Sequence, residues 1–243
     1  MLRLPAAAQS PERGNRCARR FGLGICPGIR GLQQRLVGVE HIDQAGRAVL
    51  HIQDPASATV SVDYFTSPVI ARLATHGQVS NDAQHRYIRA LQAKGVSVTQ
   101  GRHRLARGYA PRYMEGQEAS RRNQVAIWQL EEKETDVNIA LGMYRTACRS
   151  DQLKIEQIVL VSGDTDLGPA LAAIRQDFPN IRLGVILPHR LEDKELVRNP
   201  PGSLKKHVDW MRTYITDDEL SVCQLPVKVH LVRKPTIVKP DYW

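Results

Sequence analysis

Two carboxylates, Asp164 and Asp166, follow almost directly on the apolar run Ile158-Val-Leu-Val161, with only Ser162 and Gly163 between them. A charged group this close to a buried strand is costly unless it is paired, hydrogen-bonded or bound to a metal. Asp164 is therefore read as functional. Asp166 also suits a helix N-cap, accepting a hydrogen bond from an orphan N–H, and that role does not exclude another. A third carboxylate, Asp136, falls in the first turn of a separate helical stretch, where the helix dipole favours an anion. Ser162 and Thr165 add hydroxyls beside the first two acids, and Asn138 lies near the third.

The elements that must position these groups are legible on either side. Ile158 to Val161 reads as a short strand buried on both faces, as in the middle of a parallel sheet. Beyond the acids, Leu167, Leu171, Ile174 and Phe178 recur at helical spacing, with Pro169 in the first turn, where a missing N–H costs little. The order is buried strand, tight turn, acids, helix. Ligands of open α/β sheets bind at the carboxyl ends of strands, where these acids should sit.

Upstream, Val60, Val62 and Tyr64 alternate with polar residues and predict a strand ending at Phe65-Thr66-Ser67. Asp82 is a plausible cap for a helix running to Lys94, with Tyr87, Ile88 and Leu91 inward and Gly95 as its stop. Val96 and Val98 begin another strand. Residues 101 to 122 read as a basic loop, with Arg102, Arg104, Arg121 and Arg122 interleaved with Tyr109 and Tyr113, a pattern suited to phosphates and stacked bases. Val125, Ile127 and Trp128 predict a strand leading to a helix capped by Thr135. That helix has apolar residues on nearly every side (Val137, Ile139, Ala140, Leu141, Met143, Tyr144, Ala147), which predicts deep burial. Ile181 to Leu187 is a further buried strand. Strands alternating with helices point to an α/β fold with a mostly parallel sheet.

Residues 1–57 differ from the rest. Arginines abound, the first lysine is Lys94, and no period persists, so this stretch reads as a poorly ordered segment. The abrupt change also fits a misassigned start or a shifted reading frame. Gly22, Gly24 and Gly28 miss the dinucleotide-binding spacing, with no strand before them. Residues 58–190 form the predicted domain, and residues 191–243 an extension wrapped on it. With 34 Lys+Arg against 25 Asp+Glu, the formal charge of +9 favours anionic partners. The four cysteines show no metal-finger spacing and read as free thiols in a reducing compartment. No apolar run approaches the ~20 residues of a membrane span. These features predict a soluble, cytoplasmic protein without a membrane partner, with a homo-oligomer as a candidate assembly.

Lys133-Glu-Thr-Asp136-Val-Asn-Ile-Ala140, followed by Val161-Ser-Gly-Asp-Thr-Asp166, resembles the NYN domain, the LabA-like branch of the PIN-like nuclease superfamily. The resemblance spans roughly residues 58–190 and implies a Rossmannoid three-layer α/β/α fold. It implies a metal-dependent ribonuclease in which Asp136, Asp164 and Asp166 are catalytic and hold Mg²⁺ or Mn²⁺. Ser162, Thr165, Asn138, Arg102, Arg104, Arg121 and Arg122 would then contact RNA. The family's first strand, with its Asp-Gly-x-Asn motif, is missing or replaced, and Gly142 stands where some members carry an acid. An impaired RNA endonuclease is the reading this gives. The alternative is a non-catalytic RNA-binding or scaffold module using the basic stretch 102–122.

Overall fold

Parallel strand pairing organises the chain on either side of one helix. The structure, a computed structural model, describes residues 61–189, 200–222, 224–231 and 233–240. The expectations for residues 1–57 and for a first strand lie outside the described residues, as do residues 190–199.

Strand β1 (Asp63–Thr66) pairs in parallel with β2 (Ser97–Gln100), Asp63 opposite Ser97. The crossover between them carries α1 (Gln78–Ala93), which buries Ala83, Ile88, Ala90 and Leu91. The helix stops where expected, at Gly95, whose φ of 85° favours a residue without a Cβ. It starts a turn earlier than Asp82, the expected cap. Asp82 instead accepts a hydrogen bond from Gln78 Nε2 at 2.8 Å, within the helix.

The stretch expected to be a basic loop is instead half of a long hairpin. Strand β3 (Arg102–Pro111) pairs antiparallel with β4 (Gln124–Lys133) over their full length, Arg102 opposite Lys133 and Pro111 opposite Gln124. Helix α2 (Thr135–Cys148) follows, then the short α3 (Ser150–Leu153) and strand β5 (Gln157–Val161). After a single 3-10 turn comes α4 (Gly168–Asp177), with Pro169 at its start as predicted. Strand β6 (Arg182–Ile186) pairs in parallel with β5. Beyond the short α5 (Gly202–Lys205), β7 (Trp210–Arg212) adds to the other edge of β6, also in parallel. Helix α6 (Asp217–Val222) and the antiparallel pair β8 (Lys228–Leu231) and β9 (Lys234–Val238) complete the described chain.

The main core lies between the β5–β6–β7 sheet and helices α2 and α4. Leu171, Ile174, Leu183 and Val185 are wholly buried there, with Ile139, Met143, Ala147 and Leu204 around them. Covering each such leucine or isoleucine stabilises the fold by roughly 1.5–3 kcal/mol. A second cluster joins Tyr64, Ile88, Leu91 and Val96, and Val229 and Ile237 pack on Ala90. The result is a mixed α/β fold with parallel and antiparallel pieces.

Two glycines set the close approaches. A Cβ on Gly142 would stand 2.7 Å from Phe65 Cζ, so α2 packs directly on β1 through that ring. A Cβ on Gly184 would stand 2.2 Å from Trp210 Cζ2, so the indole sits directly against the middle strand. The expected deep burial of α2 is corrected: Ile139, Met143 and Ala147 face the core, whereas Val137 and Leu141 are 61% and 47% exposed. A helix packed against one layer has a single inward stripe, whatever its outward residues. Among the described residues no helix is long and apolar enough to cross a membrane.

Candidate functional site at the carboxyl rim

Where β5 ends, the backbone turns through Ser162, Gly163 and Asp164 into the 3-10 turn Thr165–Leu167. Ser162 is buried, and its N–H still donates to the Ile186 carbonyl of β6 at 3.1 Å, continuing the sheet by one residue. Its Oγ accepts a hydrogen bond from the Asp164 N–H at 3.0 Å. Asp164 Oδ1 in turn accepts from the Asp166 N–H at 3.0 Å. These two bonds explain why a Ser-Gly-Asp-Thr-Asp sequence turns here: each short polar side chain satisfies the backbone N–H two residues on. Asp164, not Asp166, is therefore the capping residue, which corrects the sequence expectation. Asp164 is half-buried, while Thr165 and Asp166 are exposed.

Neighbouring strands end at the same rim. Leu187 N–H donates to the Arg212 carbonyl at 2.8 Å, and Ile215 N–H to the His189 carbonyl at 2.7 Å. Arg212, at the end of β7, is buried in a two-pronged pair with Glu219, at 2.6 and 2.7 Å. Glu219 also accepts from the Thr216 N–H and hydroxyl. The guanidinium stacks on Tyr214, 5.5 Å from the ring centre. Sequence reasoning missed this pair. The two residues lie on different elements, β7 and the helix that follows it, so neither element's own pattern links them.

Asp136 occupies the first turn of α2 and is exposed. Asn138 is half-buried one residue from the Val137 face. The start of α2 is fixed by an unforeseen knot at the end of β1. Ser67 Oγ lies 2.9 Å from Thr135 Oγ1 and donates to Glu132 Oε1 at 3.0 Å. Thr135 thus spends its hydroxyl on Ser67 instead of capping its own helix. Glu134, just before it, has a left-handed φ of 75° and pairs with Arg102. The other predicted arginines are spread along the hairpin: Arg104 faces Glu131 across the ladder, and Arg121 and Arg122 sit exposed near its tip.

Among the described residues no group of three or more His, Cys, Asp or Glu side chains could hold a metal ion. Asp164 is engaged as a cap, and Asp136 belongs to a different element. Of the cysteines, Cys148 is free and exposed, and the other three lie outside the described residues.

Comparison with known proteins adds one relative. The chain is 34% identical over 193 residues to the 6-hydroxy-3-succinoylpyridine 3-monooxygenase HspA of Pseudomonas putida (strain DSM 28022 / S16). The match covers 75% of this chain and 57% of that protein, so the chain spans little more than half of its relative's length. No family model and no solved structure matches. These findings overturn the expected NYN-nuclease identity. A relative with an oxygenase name points away from an RNA endonuclease or other hydrolase, and gives no support to the alternative RNA-binding module. The expected Mg²⁺ or Mn²⁺ falls with it, since the described acids form no metal-holding group.

Proposed function

We propose that this chain serves an oxygenation reaction on a hydroxylated, carboxylate-bearing aromatic ring of the pyridine class. The observation that carries this reading is the 34% identity over 193 residues to a protein named for monooxygenation of 6-hydroxy-3-succinoylpyridine. A monooxygenase places one atom of O₂ on its substrate and reduces the other to water, so two electrons must come from a reductant. The described residues supply no metal ligand set, and no step is assigned to a metal.

The proposed site is the carboxyl rim of β5–β6–β7, in keeping with the general rule for ligand sites in α/β sheets. Asp164, half-buried and held by Ser162, is the group suited to accept a proton from a ring hydroxyl. Thr165 and Asp166 would border the same ligand, with Asp136 and Asn138 at a neighbouring edge. In the same reading, the β1–β2 pair and the β5–β6–β7 trio are pieces of a three-layer α/β/α arrangement, with α2 packed against both.

The test is incubation of the full chain with 6-hydroxy-3-succinoylpyridine, ¹⁸O₂, added flavin and a reduced nicotinamide as electron donor. The expected result is substrate-dependent oxygen uptake and one ¹⁸O in the product by mass spectrometry, lost in Asp164→Asn. Absence of both uptake and calorimetric binding of the pyridine would overturn the reading.

A further inference from the structure

The carboxyl rim holds one group that neither the capped turn nor the buried ion pair explains. Val161–Ile186 is the last pair of the β5–β6 ladder. Asp164 is the third residue beyond Val161, and His189 is the third beyond Ile186. The two residues therefore leave adjacent strands at the same level. Neighbouring strands lie about 4.8 Å apart, a spacing that one small ring can bridge.

The backbone at His189 is pinned from both sides. Its N–H donates to the Leu187 carbonyl at 2.8 Å, and its carbonyl accepts from the Ile215 N–H at 2.7 Å. Leu187 and Ile215 are both buried, and Pro188 fixes a further backbone angle just before the histidine. What this anchored position carries is a half-buried imidazole. Among the described residues the imidazole has no hydrogen bond, ion pair or ring contact. Asp164 is satisfied on one side alone. Its Oδ1 accepts from the Asp166 N–H, and its Oδ2 has no partner among the described residues. Arg212, at the end of the next strand, is committed to Glu219 and offers no hydrogen bond to either.

Polar groups partly withdrawn from water cost free energy until something completes their hydrogen bonds. These two present an acceptor and a donor side by side: the carboxylate accepts, and the imidazole carries an N–H in either charge state. Their complement is a ring edge with a donor and an acceptor on neighbouring atoms. A pyridine hydroxylated at position 6 has that edge, because its hydroxyl sits on the carbon next to the ring nitrogen. In the hydroxy form the O–H donates and the nitrogen accepts. In the pyridone form the N–H donates and the carbonyl accepts. A pyridine without the hydroxyl offers the acceptor alone.

We propose that His189 is a specificity-determining residue, donating to the acceptor of this edge while Asp164 takes its donor. The inference rests on the oxygenation reading above and deepens it, since it names the part of the ring that the rim recognises. Two hydrogen bonds to neighbouring atoms also fix which way round the ring lies. A substituent at position 3, across the ring from position 6, then points away from the pair.

The test is calorimetric binding of 6-hydroxy-3-succinoylpyridine and of 3-succinoylpyridine, which lacks the hydroxyl, to the full chain and two variants. Wild type should bind the hydroxylated ring about tenfold or more tightly than the other, because the second ring leaves Asp164 without its donor. His189→Leu should weaken binding of the hydroxylated ring by a similar factor, with an unchanged circular-dichroism melt. His189→Gln, which keeps an N–H donor, should bind close to wild type. If His189→Leu melts early, the two ligands on wild type and the His189→Gln variant still decide. Equal binding of the two rings by wild type would overturn the proposal, as would full affinity in His189→Leu; either result leaves the oxygenation reading standing. Binding of neither ring by wild type would overturn that reading and this inference with it.

Discussion

Gly184→Ala is the sharpest test of how the parallel sheet is packed. The new methyl would lie 2.2 Å from Trp210 Cζ2, 2.3 Å from Cε2 and 2.8 Å from Cη2. The indole cannot simply swing away, because its Nε1–H donates to Gln157 Oε1 at 3.2 Å and its ring packs beside Ile186 and Ile215. Overpacking typically costs about 1–3 kcal/mol, and a contact this short on a rigid ring belongs at the upper end. Alanine's lower unfolded-state entropy returns about 0.5–1 kcal/mol. The net loss should be about 2 kcal/mol, a fall in Tm of about 4–8 °C for a chain of this size. Urea unfolding of Gly184→Ala, Trp210→Ala and the double variant measures it. In the Trp210→Ala background the added methyl should cost close to nothing. The reasoning is refuted if Gly184→Ala lies within about 0.5 kcal/mol of wild type, or if its cost persists without the indole.

Two further outcomes follow from charges in the fold. Arg212→Ala should destabilise by about 3–5 kcal/mol in urea melts, since it strands the buried Glu219 carboxylate. Arg212→Leu with Glu219→Leu should lose much less, and equal losses would contradict a buried pair. Asp209 offers a pH test. Burial pushes its carboxyl up, but Arg175 and the Leu183 N–H outweigh that and hold it below the ordinary range. Its ionised form therefore adds stability above the unfolded value near 3.9, and that share is lost as pH falls through the folded value. The stability gap between wild type and Asp209→Asn should be full at pH 6 and close toward pH 3; a gap independent of pH would exclude this.

Local pattern carried a good part of the fold. The run Ile158–Val161 and the spacing Leu167, Leu171, Ile174 announce a buried strand and a core-facing helix, because burial on both faces or along one stripe leaves a direct imprint on residue order. Ile181–Leu187 did the same for β6. The hairpin was half legible. Val125 to Trp128 reads as a strand, but its partner β3 is so rich in arginine that it reads as a loop, since none of its residues is fully buried. The Ser-Gly-Asp-Thr-Asp turn was recognisable as a strand-to-helix turn, though not which acid caps it. That depends on where two N–H groups point. Nor does spacing along the chain say whether Asp136 meets Asp164.

The sequence by itself determined the buried strands β5 and β6 and the helices α1, α2 and α4 of an α/β fold, and that acids follow the end of a central strand. Only the tertiary structure decided that those acids form a capped turn and no metal-holding cluster, that Thr135 serves Ser67, and that Arg212 and Glu219 pair in the interior. The reason is physical. Periodicity records how much of a segment is buried, whereas a site depends on distances between side chains far apart along the chain, which only packing sets.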